Sequence, residues 1–274
     1  MQGGPELVWI FSSGRSGTTW LMKLLSHVLP AAQWSEPRFG RLFHRFVELD
    51  GWREGGGHLL SEAQRPAFIA GVGAFVRTVA AERFPDDRRV IVKEPAGSAG
   101  APLLSAATPE SRLVIAVRDL RDVVASSLAG KTPGNWQNRD GTRWVDLGSD
   151  EFTGLLTKNS VKNMQGAIDA YDQHAGPKSL VRYEDLLADT PGELKRIVRD
   201  LDFRPRPKLV RRAVQKYAWE RVPEEDRGED KFFRKATPGS WSEDLSDDQV
   251  KVVEEAGQSI MDRFYGGWGN TSGS

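Results

Sequence analysis

The chain has 274 residues, and its 38 Lys and Arg residues balance 38 Asp and Glu residues, so the formal net charge at pH 7 is zero. This balance excludes the strongly basic surface that is typical of proteins that bind nucleic acids, while it leaves room for a local cationic pocket. At about 150 residues per domain the length allows one large domain or two small ones, and no change in composition divides the chain. We therefore predict a single domain over residues 1–265 and a disordered tail over 266–274.

The amino-terminal segment Met1–Pro5 lacks the basic region and the long apolar stretch of a secretion signal. No run in the sequence approaches the roughly 20 apolar residues that a membrane-spanning helix requires. The sequence has no cysteine, which excludes disulfides and thiolate metal sites, and its four histidines are scattered, so we expect no metal. These features predict a cytoplasmic protein without a membrane span.

Short apolar runs and helical spacings alternate along the chain. Four runs predict buried strands, at Leu7–Phe11, Val90–Val92, Leu113–Val117 and Ser179–Arg182. The spacing of apolar residues predicts helices over Thr18–Leu29, Ala67–Phe84, Arg121–Leu128, Ser160–His174 and Pro191–Leu201, with Thr190 as the N-cap of the last one. Strands that alternate with helices predict a doubly wound α/β fold, in which a mainly parallel sheet carries helices on both faces.

A loop rich in Gly and Ser follows the first predicted strand, over residues 12–20 (SSGRSGTTW). A strand, a tight loop and a helix that begins at Thr18 form a phosphate-binding geometry, because free backbone N–H groups and the helix dipole both point at the anion. Gly14 and Gly17 allow the backbone to approach the phosphate, and Arg15 adds a positive charge. Hydroxyl groups for further hydrogen bonds come from Ser16, Thr18 and Thr19.

This loop departs from the pattern of magnesium-dependent nucleoside triphosphatases, because Gly17 is followed by Thr18 instead of Lys. Residues 14–20 (GRSGTTW) instead resemble the 5′-phosphosulfate loop of sulfotransferases that use 3′-phosphoadenosine 5′-phosphosulfate (PAPS). The resemblance implies a P-loop-like fold, PAPS as co-substrate and donor binding by Arg15 through Trp20. Many soluble members carry Lys where Arg15 stands, and a planar guanidinium is not equivalent to an ammonium group.

A second motif follows the third predicted strand, where Arg118 stands at the carboxyl end and Ser126 lies about two helical turns further on. The pair resembles the 3′-phosphate motif of the same family. The residues alone leave a second interpretation open, in which Arg118 forms a salt bridge with Asp122.

Two further segments resemble the family. Residues 232–241 (FFRKATPGSW) are similar to its carboxy-terminal loop, which implies that Arg234 and Lys235 close over the 3′-phosphate. Ala236 departs from the usual Gly of that loop. Tyr183 stands where many members place a Tyr near the adenine.

Sulfuryl transfer needs a base for the acceptor hydroxyl and a cation for the departing phosphate oxygen. Glu36 lies 21 residues after Arg15, which resembles the base-bearing segment of carbohydrate and tyrosylprotein sulfotransferases. Glu94, at the end of the second predicted strand, is the other candidate base. We expect Glu36 to be the base, since a base must first be able to reach the acceptor proton, whatever its pKa. We expect Lys93 to supply positive charge at the bridging oxygen.

The sequence therefore predicts a sulfotransferase that moves a sulfuryl group from PAPS to a hydroxyl of a small-molecule, carbohydrate or lipid-linked acceptor. One alternative is a nucleotide or small-molecule kinase with a degenerate P-loop, in which Asp119 would take the place of the magnesium-binding carboxylate. Another is a non-catalytic sensor of 3′,5′-bisphosphonucleotides. We expect the acceptor pocket in two loops, Phe39–His58 and Lys131–Ser149, whose aromatic residues do not define the acceptor.

Overall fold

A computed structural model describes residues 4–50, 61–138, 149–226 and 237–266, together with the isolated residues 228 and 231. Its sheet has the strand order β2-β3-β1-β4-β5, and every pairing between these strands is parallel. The strands are β1 (Glu6–Phe11), β2 (Ala32–Ser35), β3 (Arg89–Lys93), β4 (Arg112–Val117) and β5 (Lys178–Arg182).

Helices connect the strands and continue beyond the last one. They are α1 (Thr18–Val28), α2 (Phe39–Asp50), α3 (Arg65–Arg83), α4 (Ala101–Ala107), α5 (Leu120–Lys131), α6 (Asp150–Gln173), α7 (Tyr183–Ala188), α8 (Thr190–Asp200), α9 (Pro207–Lys216), α10 (Trp241–Asp244) and α11 (Asp247–Met261). A 3-10 segment, Pro95–Gly100, joins β3 to α4. Within the described residues, no helix is both long enough and apolar enough to cross a membrane.

Successive residues of the central strand β1 are buried on opposite faces of the sheet, because the side chains of a strand alternate between its two faces. Trp9 and Phe11 pack in one core with residues of α3, α4, α5, α6 and α11. Val8 and Ile10 pack in a second core with residues of α1, α7, α8 and α9. The prediction of a parallel sheet with helices on both faces is therefore confirmed.

The structure corrects several predicted elements. The strand β2 at the edge of the sheet was not predicted, and the segment expected to be a loop from Phe39 onward begins with the helix α2. The helix α6 starts ten residues before Ser160, because the Ser149 hydroxyl accepts a hydrogen bond from the Phe152 N–H and caps it. Helix α8 is capped by Asp189 instead of Thr190. Residues 51–60, 139–148 and 267–274, which include much of the two predicted loops and the tail, lie outside the described residues.

Parallel strands bring their carboxyl ends to one edge of the sheet, and the candidate functional residues follow those ends. The loop over 12–17 follows β1, Glu36 follows β2, Glu94 follows β3 and Arg118 follows β4. The topology therefore gathers segments that are far apart in the sequence.

Candidate active site

The loop between β1 and α1 exposes the amino terminus of α1 to a cavity. Gly17, the N-cap residue, has φ +74° and offers no side chain to cap this helix end. A Cβ at Gly17 would lie 2.5 Å from the Tyr183 ring, so both the backbone conformation and the space require glycine. The first turn of α1 contains no acidic residue. These backbone N–H groups therefore suit an anion such as a phosphate.

Arg15 connects this loop to the helix α5. Its Nε donates a hydrogen bond to the Ser126 hydroxyl at 3.0 Å, and its guanidinium lies 5.0 Å from the centre of the Trp136 ring. The two residues predicted at opposite ends of a nucleotide, Arg15 and Ser126, thus lie within hydrogen-bond distance. Trp136 belongs to the segment Lys131–Ser149, which the sequence predicts as part of the acceptor pocket, but no local pattern shows that it faces Arg15.

Arg118 lies beneath the loop, where its side chain makes both contacts that the sequence left as alternatives. One terminal nitrogen donates to the Arg15 carbonyl at 3.0 Å, and the other lies 3.5 Å from an Asp122 carboxylate oxygen. The guanidinium also stands 4.5 Å from the centre of the Tyr183 ring. Its Nε is buried without a hydrogen-bond partner among the described residues. A buried donor without a partner is costly, and a bound anion would satisfy it.

Asp122 fixes the carboxy-terminal part of the chain at the cavity. The fully buried carboxylate accepts hydrogen bonds from the Gly239 N–H at 2.9 Å and the Trp241 N–H at 3.1 Å. Ser240, between these two residues, lines the cavity. Arg234 and Lys235, which the sequence placed in the same loop, lie outside the described residues.

Lys93 joins the phosphate loop to the candidate base. Its Nζ lies 2.7 Å from Glu36 Oε1 and donates to the Thr19 hydroxyl at 3.2 Å. The Lys93 side chain is 5% exposed, whereas that of Glu36 is 40% exposed and faces the cavity. A buried ammonium group next to a carboxylate supplies both a fixed cation and a hydrogen-bond acceptor at one point of the cavity wall.

Glu94, the other candidate base, is in a different environment. It is 1% exposed, and the described residues that line the cavity do not include it. Its Oε2 accepts a hydrogen bond from the Arg38 N–H at 3.0 Å, at the start of α2. Burial raises the pKa of Glu94 to about 7, and the nearby Glu36 carboxylate adds to the increase, while the backbone hydrogen bonds of Arg38 and Phe39 and the charge of Lys93 oppose it.

The cavity has a volume of about 390 Å³. Most of the predicted residues line it, namely Arg15, Gly17, Thr18, Thr19, Trp20, Glu36, Lys93, Arg118, Ser126 and Tyr183. Ser16 lies just behind this wall, and its hydroxyl is 3.0 Å from that of Ser13. Another part of the cavity wall is aromatic. There the Trp20 indole N–H donates to the Tyr217 carbonyl at 2.9 Å, and Trp219 also lines the cavity. Sequence reasoning missed Tyr217 and Trp219, which lie beyond any motif.

Three cationic side chains, an open helix terminus and aromatic side chains therefore line one cavity at the carboxyl edge of the parallel sheet. Over residues 6–205 the sequence matches the family described as "Sulfotransferase family". The chain therefore belongs to the sulfotransferase family, and it is an enzyme of that class.

Solved structures with the same fold include other sulfotransferases. Retinol dehydratase in a complex with retinol and PAP has a TM-score of 0.60 and 16% identity, over 93% of this chain and 81% of that one. Mouse sulfotransferase SULT7A1 complexed with PAP has a TM-score of 0.57 and 14% identity, over 94% and 84%. Sulfotransferase STF9 from Mycobacterium avium has a TM-score of 0.55 and 14% identity, over 97% and 78%. No curated protein sequence matches the chain significantly.

These findings do not favour the kinase alternative. Asp119, the carboxylate which that alternative requires, caps α5 through the Arg121 N–H and forms an ion pair with the Arg121 side chain at 2.7 Å.

Proposed function

We propose that this sulfotransferase takes the sulfuryl group of PAPS and transfers it to a hydroxyl group of a small-molecule acceptor, with Glu36 as the base. The observation that carries this proposal is the double contact of Lys93, whose ammonium group touches both Thr19 of the phosphate loop and the Glu36 carboxylate. A cation for the leaving oxygen and a base for the acceptor thus stand side by side.

The described residues fit the donor. The amino terminus of α1 and Arg15 would hold its 5′-phosphosulfate, since unpaired N–H groups and a guanidinium both favour anions. The unpartnered Arg118 Nε and the Ser126 hydroxyl would hold its 3′-phosphate. Trp20 and Tyr183 offer aromatic surface to the adenine. Several neighbours of the same fold were solved with PAP, the desulfated nucleotide, which supports the same donor here.

In the transfer, Glu36 accepts the proton of the acceptor hydroxyl while the oxygen of that hydroxyl forms a bond to sulfur. The bond between sulfur and the 5′-phosphate oxygen breaks, and its electron pair stays on that oxygen, next to the Lys93 ammonium group. Lys93 pairs with Glu36 before the reaction, so the positive charge is already fixed where negative charge develops. The products are a sulfate ester and PAP.

The proposed acceptor is a small molecule that carries a hydroxyl group. Retinol dehydratase was solved with the alcohols retinol and androsterone. Here Trp136, Gln137 and the short Pro95–Ala96 segment also line the cavity, so an acceptor would meet both apolar and polar surface. A carbohydrate or lipid-linked hydroxyl stays a candidate, as does a cytoplasmic location.

The proposal is tested with sulfur-labelled PAPS and a panel of alcohols, phenols, sugars and lipid-linked sugars. We expect one class to acquire label, and we expect Glu36→Gln to lower kcat by roughly 10²–10⁴-fold, the usual contribution of a general base, with unchanged affinity for PAP. Glu255→Gln, the same change at an exposed position of α11, serves as control. Binding of PAP without transfer to any acceptor class, or a Glu36→Gln variant with full kcat, would contradict the proposal.

A further inference from the structure

Glu94 contacts the beginning of α2, although in the sequence it directly follows the strand β3. Its backbone is fixed, because its N–H donates to the Ile10 carbonyl at 3.0 Å and its carbonyl accepts from the Ser98 hydroxyl at 2.9 Å. Its carboxylate accepts from the Arg38 N–H at 3.0 Å and also from the Phe39 N–H. An N-cap side chain normally comes from the residue before a helix, whereas here a different strand supplies it.

Close packing leaves little freedom for this carboxylate. A Cβ at Gly97 would clash with Glu94 Oε1, and a Cβ at Gly40 would clash with the Gly97 carbonyl. The start of α2 and the 3-10 segment after β3 therefore approach each other through two glycines, with the Glu94 side chain beside the contact.

The segment that Glu94 holds is also the segment that carries Glu36. Glu36 donates its N–H to the Lys93 carbonyl at 2.7 Å, and Arg38 follows two residues later. Both Glu36 and Arg38 have positive φ, +54° and +68°. Residues other than glycine adopt such angles only when surrounding contacts impose them. The hydrogen bond from the Arg38 N–H to Glu94 is one of these contacts.

We propose that Glu94 is a positioning residue of the reaction, which holds Glu36 at the cavity by capping the amino terminus of α2. This inference rests on the proposed function, in which Glu36 is the base. It differs from the interpretation of Glu94 as the base, because the carboxylate acts on backbone N–H groups and does not reach the acceptor.

The protonation of Glu94 would then regulate how firmly Glu36 is held. An ionised carboxylate accepts both backbone hydrogen bonds well, whereas a protonated one has less acceptor capacity. The charged side chains that act on it are Glu36 and Lys93, and burial raises its pKa to about 7. Burial raises the pKa of Glu94, whereas the two backbone hydrogen bonds lower it, so ionisation strengthens these bonds although it is costly for the buried carboxylate. The hold on Glu36 therefore tightens as the pH rises through about 7.

The first test compares wild type, Glu94→Gln and the control Glu255→Gln for kcat between pH 5.5 and 8.5. A Gln side chain resembles the protonated acid, so we expect kcat of Glu94→Gln within about twofold of wild type below pH 6 and about tenfold lower at pH 8. KM for PAPS and affinity for PAP should stay within about twofold. A loss of 10²-fold or more at every pH, together with a fully active Glu36→Gln variant, would instead make Glu94 the base.

The second test needs no turnover and can fail independently of the proposed function. In wild type, exchange of the Arg38 and Phe39 amide hydrogens, corrected for intrinsic rate, should slow by about tenfold between pH 6 and pH 8. Glu94→Gln should abolish this change, while amides in α11 behave alike in both proteins. Equal protection of Arg38 and Phe39 at both pH values in wild type would overturn the positioning role even if Glu36 proves to be the base. A Glu94→Gln variant that does not fold leaves the wild-type measurement decisive.

Discussion

At the scale of single residues, the Arg118 side chain combines a structural role with a proposed role in binding. Its two terminal nitrogens already have protein partners, Arg15 and Asp122, and only Nε is left unpaired within the described structure. A purely structural arginine would not need to leave a buried donor unpaired. The geometry therefore favours a residue that is held by the protein and completed by an anion.

The contribution of Arg118 can be measured with two donors. Adenosine 5′-phosphosulfate lacks the 3′-phosphate, and a charged hydrogen bond contributes roughly 1.5–3 kcal/mol. Arg118→Ala should therefore weaken use of PAPS by about tenfold to a hundredfold, mainly in KM, with little effect on adenosine 5′-phosphosulfate. Arg211→Ala, at an exposed position of α9, is the control. Equal losses for both donors would mean that Arg118 only maintains the fold.

The raised pKa of Glu94 also predicts how the free energy of unfolding changes with pH. Its pKa is about 7 in the folded protein, against an ordinary value of 4.5, so the folded state holds a proton that the unfolded state releases between these values. Stability should therefore fall as the pH rises from about 4.5 to about 7, by about 3 kcal/mol in total from this group. Urea unfolding at pH 5 and pH 8 measures the difference between wild type and Glu94→Gln, which lacks this decrease. A parallel pH dependence of both proteins would refute the raised pKa.

At the scale of elements, the amino terminus of α1 depends on one glycine. Gly17→Ala imposes a positive φ on a residue with a Cβ, which costs roughly 1–2 kcal/mol, and it also pushes the Tyr183 ring. We expect this variant to lose about 1–2 kcal/mol of unfolding free energy and at least tenfold in PAP affinity. Calorimetric titration and urea unfolding provide both numbers.

The matched control is Gly71→Ala on α3, where a new Cβ meets no atom within 4 Å. Removing a glycine from a helix interior usually stabilises it by roughly 0.5–1 kcal/mol. The control should therefore gain stability and keep its PAP affinity. If Gly17→Ala behaves like Gly71→Ala, the loop does not bind phosphate through its backbone.

The sequence predicts the central elements well because their signals are local. β1, β3 and β4 contain continuous apolar runs that are buried on both faces, and α1 combines helical spacing with a stop at Pro30. The edge strand β2 escapes prediction, because only Trp34 of its four residues is buried. Its structure comes from pairing with β3, which no local pattern contains.

The sequence contains start signals for two further helices, α9 and α11, from which these helices could have been predicted. Ser246 and Gln249 form a capping box at the start of α11, and Pro207 stands at the first position of α9. The helix α2 has a weaker local signal, since part of its cap comes from Glu94, 56 positions away.

The same distinction applies to the site. Arg15, Gly17, Arg118 and Ser126 belong to short motifs, so the sequence could group them. The contact of Lys93 with Thr19 and Glu36, and the contact of Asp122 with Gly239, depend on the order of the strands in the sheet. A resemblance in motifs could suggest these neighbours, but only the fold supplies the distances.

At the scale of the whole molecule, a chain with no net charge concentrates positive charge at one edge of its sheet. Arg15, Lys93 and Arg118 all line the cavity, and Glu36 is the one acidic residue among its described lining residues. Fixed cations in a partly enclosed cavity attract an anionic ligand more strongly than the same charges in open solvent. This arrangement favours an anionic ligand, as the proposed donor PAPS is.

The most direct test of this account is calorimetric titration of the wild-type protein with PAP and with ATP, each with and without magnesium. The proposed sites for a 5′-phosphosulfate and a 3′-phosphate predict that PAP binds far more tightly than ATP and that magnesium leaves the affinity for PAP unchanged. Tight binding of ATP that requires magnesium, with weak binding of PAP, would contradict the assignment of PAPS as the donor.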